Sequence, residues 1–223
     1  MKQTAAAKAR IPDGQAKTTK GSARIAQILE VALEVIASEG HAKLTLEGIA
    51  KQVGIRKGNL QYYFPSRSHL VRAALSEQIE QHKNSWATPY EKASDNPVKH
   101  LRKLIAYELK INSDEIFVAQ VRERWSLEAR DEGARMLTNQ WYDWVTKKYA
   151  DLIKEIRPEL GDKACHQLAI ITYSMLVGST PFFGNNRAAP RWSKGIAKQI
   201  EETIVGIVLG DISIDRKVRL EKT

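Results

Sequence analysis

Cysteine occurs once in the 223 residues, at Cys165, so the chain can close no internal disulfide and build no thiolate metal cluster. Placed in an apolar helix, that thiol reads as a small core residue. The five histidines, His41, His69, His82, His100 and His166, contain no His-x-x-x-His pair and no glutamate at ligand spacing. Each is expected on the surface or at a helix cap, and neither a metal nor a cofactor is expected. A Gly-rich phosphate loop and a Gly-x-Ser-x-Gly nucleophile turn are both missing. Carboxylate pairs such as Asp131-Glu132 and Glu201-Glu202 are adjacent in sequence, so they should diverge on a helix rather than converge on a substrate. Enzyme chemistry therefore has no residues to rest on. No apolar run approaches the roughly 18 residues of a membrane span. The first residues lack the apolar stretch of a secretory signal, and a cytoplasmic protein without membrane contact is the expectation. Strand-like alternation, internal repeats and low-complexity tracts are missing as well, which leaves an all-α fold of about nine helices.

Acidic residues are fewer than basic ones, 26 against 35, for a net charge of +9. The excess is unevenly placed. The first 72 residues hold 12 Lys and Arg against 5 Asp and Glu, a net of +7, and the remaining 151 are close to neutral. A basic end on a near-neutral body is the footprint of a polyanion-binding protein, although a solvated basic face gives the same count. Hydrophobic residues make up 43%, enough to build a core and to argue against a disordered chain.

Within the basic end, Thr45 to Arg67 carries two short helical patterns that meet at a glycine. Leu46, Ile49, Ala50 and Val53 form the apolar stripe of a two-turn helix, with Thr45 placed to cap it and Glu47 in its first turn. Gly54 supplies the tight turn. The second pattern, from about Arg56 to Tyr63, turns Leu60 inward, with Phe64 close by. Its other positions are Arg56, Lys57, Gly58, Asn59, Gln61, Tyr62 and Tyr63, side chains suited to phosphates and base edges. Pro65 ends the segment. The spacing predicts a helix-turn-helix with its second helix presented to a DNA major groove.

The ordered run resembles the N-terminal domain of the TetR family of transcriptional regulators, over roughly residues 24 to 75. It comprises an apolar helix, a glycine, Leu-Thr, a two-turn helix, Val-Gly-Ile, Lys-Gly-Asn-Leu, Tyr-Tyr-Phe-Pro-Ser-Arg and a following leucine. The resemblance implies that Thr45 and Arg67 hold phosphates at two helix starts, and that Arg56, Lys57, Gly58, Asn59, Gln61, Tyr62 and Tyr63 face the groove or its edges. It further implies a homodimer paired through the last two helices, a double-stranded DNA operator, and a small-molecule effector bound in the C-terminal domain. One departure stands out. The position after Leu60 is commonly a phosphate-contacting tyrosine and is Gln61 here, so an amide–phosphate bond, a base contact, or a takeover by Tyr62 are all open.

Around this motif the chain divides into a basic arm (1–23), a helix-turn-helix domain with a linking fourth helix (24–85), a helical ligand-binding and dimerisation domain (86–210) and a charged tail (211–223). In the arm, Lys17, Lys20 and Arg24 either follow DNA or belong to an inert leader. Helices are expected at about 22–38, 66–85, 97–112, 114–129, 131–156, 162–183 and from Ile196 onward. Ser66 should cap the fourth helix, and Asp162 the next to last. Leu168 to Val177 is apolar on almost every side and needs burial all round, which a second subunit would supply.

All five tryptophans lie beyond residue 85. Tyr107, Phe117, Trp125, Trp141, Trp144 and Tyr173 are either core or the lining of an apolar pocket, with Arg122 and Glu123 as polar contacts or as members of surface ion pairs. The overall expectation is a ligand-responsive regulator, repressing in the family's usual mode. A nonspecific DNA-organising protein and a helical small-molecule-binding protein or enzyme that carries a helix-turn-helix are the alternatives.

Overall fold

The computed structural model describes residues 19–91, 96–183 and 194–212, with the backbone alone for 19, 87–91 and 183. Among the described residues there is no strand. The helices are α1 (Thr19–Glu39), α2 (Leu46–Val53), α3 (Lys57–Tyr63), α4 (Arg67–Glu91), α5 (Pro97–Ile111), α6 (Glu115–Glu128), α7 (Glu132–Ile156), α8 (Asp162–Gly178), the single turn α9 (Thr180–Phe183) and α10 (Ile196–Leu209). A 3-10 turn at His41–Lys43 follows α1. Nine of these helices have seven residues or more, the expected number. The first begins at Thr19, so Lys20 and Arg24 are helical. Lys17, the expected loop at 184–190 and the tail from 213 lie outside the described residues.

The chain forms two compact units. One takes the residues up to His82 together with Ala119–Asn139; the other takes Lys83–Val118 and the residues from Gln140. The divisions fall inside α4, α6 and α7.

In the first unit, Ile25, Ile28, Leu29, Ala32 and Ile36 bring one face of α1 onto Ile49, Ala50 and Val53 of α2 and Leu60 of α3. Leu70, Val71 and Ala74 of α4 close this core. Gly40 ends α1 with φ +85°, and its N–H returns to Ile36 O at 3.2 Å.

In the second unit, Asn96 caps α5 by accepting from Val98 N (3.0 Å) and Lys99 N (3.1 Å), and Pro97 occupies the first helical position. Asn112 at the other end of α5 donates to Leu176 O at 2.8 Å and so ties α5 to α8. The Arg157 guanidinium donates to Val208 O at 3.1 Å. Gly210 follows α10 with φ +85°, and a Cβ there would meet Arg157 Nη1 at 2.8 Å. Cys165 is buried, as expected of a core thiol.

Four expectations change. Asp162 does not cap α8; Gly161 holds that position, and Asp162 sits in the first turn, where its charge suits the helix dipole. The apolar run of the eighth helix breaks at Ser179, whose hydroxyl donates to Leu176 O and separates α8 from α9. His82 and His100 are buried rather than superficial. Glu201 and Glu202 do converge: one arginine fork on α5 spans both, with Arg102 Nη1 2.7 Å from Glu201 Oε1 and Nη2 2.9 Å from Glu202 Oε2. Those bonds raise the Arg102 pKa and lower that of Glu202, in each case chiefly through the hydrogen bond between them.

Candidate nucleic-acid interface

The helix-turn-helix is set by three local devices. Thr45, in extended backbone, accepts from Gly48 N at 3.0 Å and caps α2. A Cβ at Gly48 would meet the Thr45 hydroxyl at 2.9 Å, so glycine there protects the cap. Gly54 turns the chain at φ +71°, and its N–H closes onto Lys51 O at 3.2 Å. Nothing lies within 4 Å of a Cβ built on it, so the left-handed backbone alone requires glycine. Ile55 N then returns to Ala50 O at 2.9 Å and brings the chain into α3.

Leu60 is fully buried and Phe64 nearly so, which anchors one side of α3. Arg56, Lys57, Gly58, Asn59, Gln61 and Tyr62 are all exposed on the rest of it. Lys57 Nζ stands 3.7 Å from Glu47 Oε2, a surface pair of little energetic weight. The two tyrosines differ. Tyr62 is 60% exposed, whereas Tyr63 is half-buried and packs against the core. Their rings meet edge to face at 5.3 Å.

Arg67 has a role that its sequence position did not reveal. Its Nε donates to Leu44 O at 2.8 Å and its Nη2 donates to His41 O, so most of the fork holds the turn between α1 and α2. Glu123 of α6 grips the same turn, accepting His41 N at 2.8 Å and meeting His41 Nδ1.

The residues expected to meet a ligand are only partly brought together. In the second unit, Trp141 Nε1 donates to Tyr173 OH at 3.0 Å, and Trp144 stacks on Trp141 with centroids 5.3 Å apart. Trp86 meets the edges of Trp144 and Tyr149 at 5.4 and 5.3 Å and donates its Nε1 to the buried carboxylate of Glu108. The Lys83 ammonium lies 5.9 Å from the Trp144 ring centre. Tyr107 is half-buried and donates to Ser85 Oγ at 2.7 Å. Phe117 sits in the first turn of α6, where its N–H donates to Asp114 Oδ1 at 2.8 Å. Arg122 and Trp125 belong to the first unit. Burial raises the Tyr149 hydroxyl well above its usual pKa, with the Glu108 charge adding to it.

Glu108 escaped the sequence reading, yet a signal was present. It continues the apolar stripe Leu101, Leu104, Ile105 of α5, where a carboxylate must be buried. Arg124 likewise follows Val121 on the inward side of α6 and is buried.

A basic two-helix reading head on an all-helical frame defines the helix-turn-helix class of DNA-binding regulators. Residues 28–74 match the family of bacterial regulatory proteins described as the tetR family. Over that stretch the chain carries a domain of this family. An HTH-type transcriptional regulator of Xanthobacter autotrophicus, itself uncharacterised, is 27% identical over 202 residues, which cover 87% of this chain and 93% of that protein. Among solved structures, a Pseudomonas aeruginosa protein described as a transcriptional regulator superposes with a TM-score of 0.71 at 13% identity, over 92% of this chain and all of that one. A protein from Saccharomonospora viridis, described in the same way and solved in complex with choline, gives 0.67 at 18% identity over 84% and 96% of the two chains. At these identities the likeness concerns the fold.

Proposed function

We propose that the chain is a ligand-responsive transcriptional repressor that binds a palindromic operator as a homodimer and is released by a small molecule. The observation that carries the reading is the outward set on α3. Arg56, Lys57, Asn59, Gln61 and Tyr62 are exposed on a helix whose other side is pinned by Leu60 and Phe64. Such a helix is rigid enough to read base edges, and its side chains are of the types that bond to them. Gly58 supports the same view. It lies inside α3 with nothing within 4 Å of a Cβ built on it, so no packing within the chain requires glycine. A close approach by the DNA backbone accounts for it. Thr45 and Tyr63 belong to the flanks of this surface, and Arg67 supports it by holding the turn at His41–Leu44.

In this reading 24–85 reads DNA, and 86–210 senses and pairs. Ile170 on α8 is 54% exposed and Phe182 is 57% exposed, the apolar surface that a second copy would cover. The choline complex of the Saccharomonospora protein supports a small-molecule effector for this fold. A ligand that favours the conformation with badly spaced heads must weaken operator binding by the factor with which DNA weakens ligand binding. The protein would act in the cytoplasm, on DNA.

Selection of bound duplexes from random sequence tests the proposal. A palindrome with fixed half-site spacing is the expected product; a pool with no enriched sequence would refute it.

A further inference from the structure

Arg124, on α6 in the first unit, is 2% exposed. Its Nε is enclosed and has no hydrogen-bond acceptor, and among the described residues the guanidinium forms no ion pair. Of the acids nearest in sequence, Glu123 is engaged with His41, Asp131 with Arg72 at 3.7 Å and Glu132 with Arg135 at 3.8 Å, while Glu128, one turn further along α6, forms no ion pair with Arg124. A guanidinium cannot shed its proton to escape burial, so an enclosed arginine calls for an anion. Gln78 and Gln120 are joined at 3.1 Å in the same unit. His82 is held neutral, its pKa lowered to about 3, by burial first and by the Arg124 charge second. Arg124 is thus an enclosed cation beside a neutral imidazole, with no ion-pair partner among the described residues.

We propose that Arg124 anchors the carboxylate of a small organic acid and that the effector is therefore an organic monoanion. One planar fork matches one carboxylate in two parallel bonds. A phosphate dianion would call for more positive charge than a single guanidinium brings. A cationic effector such as a quaternary amine is repelled at this position. The aromatic alternative in the second unit is already occupied by its own groups, since Trp141 and Trp144 stack on each other and Lys83 lies over Trp144. The inference rests on the reading of the chain as an effector-responsive regulator, although the chemistry of the site stands on Arg124 itself.

The test uses the full chain and two readouts. Thermal unfolding and calorimetry are run with octanoate, benzoate and indole-3-acetate, each beside its primary amide at matched ionic strength, and with inorganic phosphate. At least one acid is expected to raise the melting temperature where its amide does not. Arg124→Met should weaken that binding by about 10- to 100-fold, and Arg124→Lys should restore part of it. Should the methionine variant fail to fold, Arg124→Gln takes its place. Acids that stabilise no better than their amides, a shift that survives loss of the arginine, or stabilisation by phosphate alone would each overturn the assignment. A gel shift on the selected operator separates the two readings. An acid that binds through Arg124 without releasing DNA supports the site and removes the effector role; failure of every acid with operator binding intact overturns the site and leaves the DNA reading in place.

Discussion

The Glu123 carboxylate holds the backbone N–H of His41 at 2.8 Å and also meets its ring Nδ1, across 82 positions of sequence. That bond fastens α6 to the turn that Arg67 holds from the other side. Replacing Glu123 by alanine leaves a half-buried N–H and a ring nitrogen without their acceptor. A loss of about 1–3 kcal/mol in urea denaturation is expected. An unchanged midpoint would mean that the turn does not depend on this bond.

Gly58→Ala should separate stability from function. Alanine inside α3 gains about 0.5–1 kcal/mol over glycine, and the space around the site is open. Denaturation should therefore show a more stable protein. Gel shifts on the operator should show binding at least about tenfold weaker if the DNA backbone passes close to this Cα. Unaltered affinity would place the groove elsewhere on α3.

Acid should destabilise the protein through His82. Its folded pKa is lowered to about 3 from 6.5, so between those values the unfolded chain binds a proton that the folded chain does not. Stability from this group is therefore present above pH 6.5 and is lost as the pH falls toward 3, by about 2 kcal/mol between pH 7 and pH 5. Urea midpoints at the two pH values should differ less in His82→Asn than in the parent protein. Equal slopes would show that the imidazole does not titrate in this way.

The sequence carried the reading head further than the rest. Two stripes, a cap and a turn glycine suffice to lay out α2 and α3, because their partners lie within some thirty residues and the periodicity is regular. What escaped was long-range polar chemistry. Arg67 is assigned to phosphate by the resemblance; the folded turn adds contacts of its Nε and Nη2 with the carbonyls of Leu44 and His41. Glu201 and Glu202 looked divergent because a guanidinium from α5, 99 positions away, could not be seen between them. Glu108 and Arg124 were missed for a related reason. Stripe reading seeks apolar residues and passes over the charged side chain that interrupts the stripe, which is where a buried polar site begins.

Ile170→Asp tests the pairing proposal. The side chain is exposed in one chain, so a carboxylate there should leave the fold intact. Placed in an apolar interface between copies, it should shift sedimentation from dimer to monomer and weaken operator binding with it. A variant that sediments as a dimer would exclude this face from the contact.

The central claim, a sequence-reading regulator, is tested most directly by competition between the selected operator and a scrambled duplex at two salt concentrations. Both affinities should fall steeply with salt, since the head is basic. At each salt the operator should bind at least about a thousandfold more tightly than the scrambled duplex. Equal affinity for the two, with the same salt dependence, would contradict the account and mark the protein as a nonspecific DNA binder.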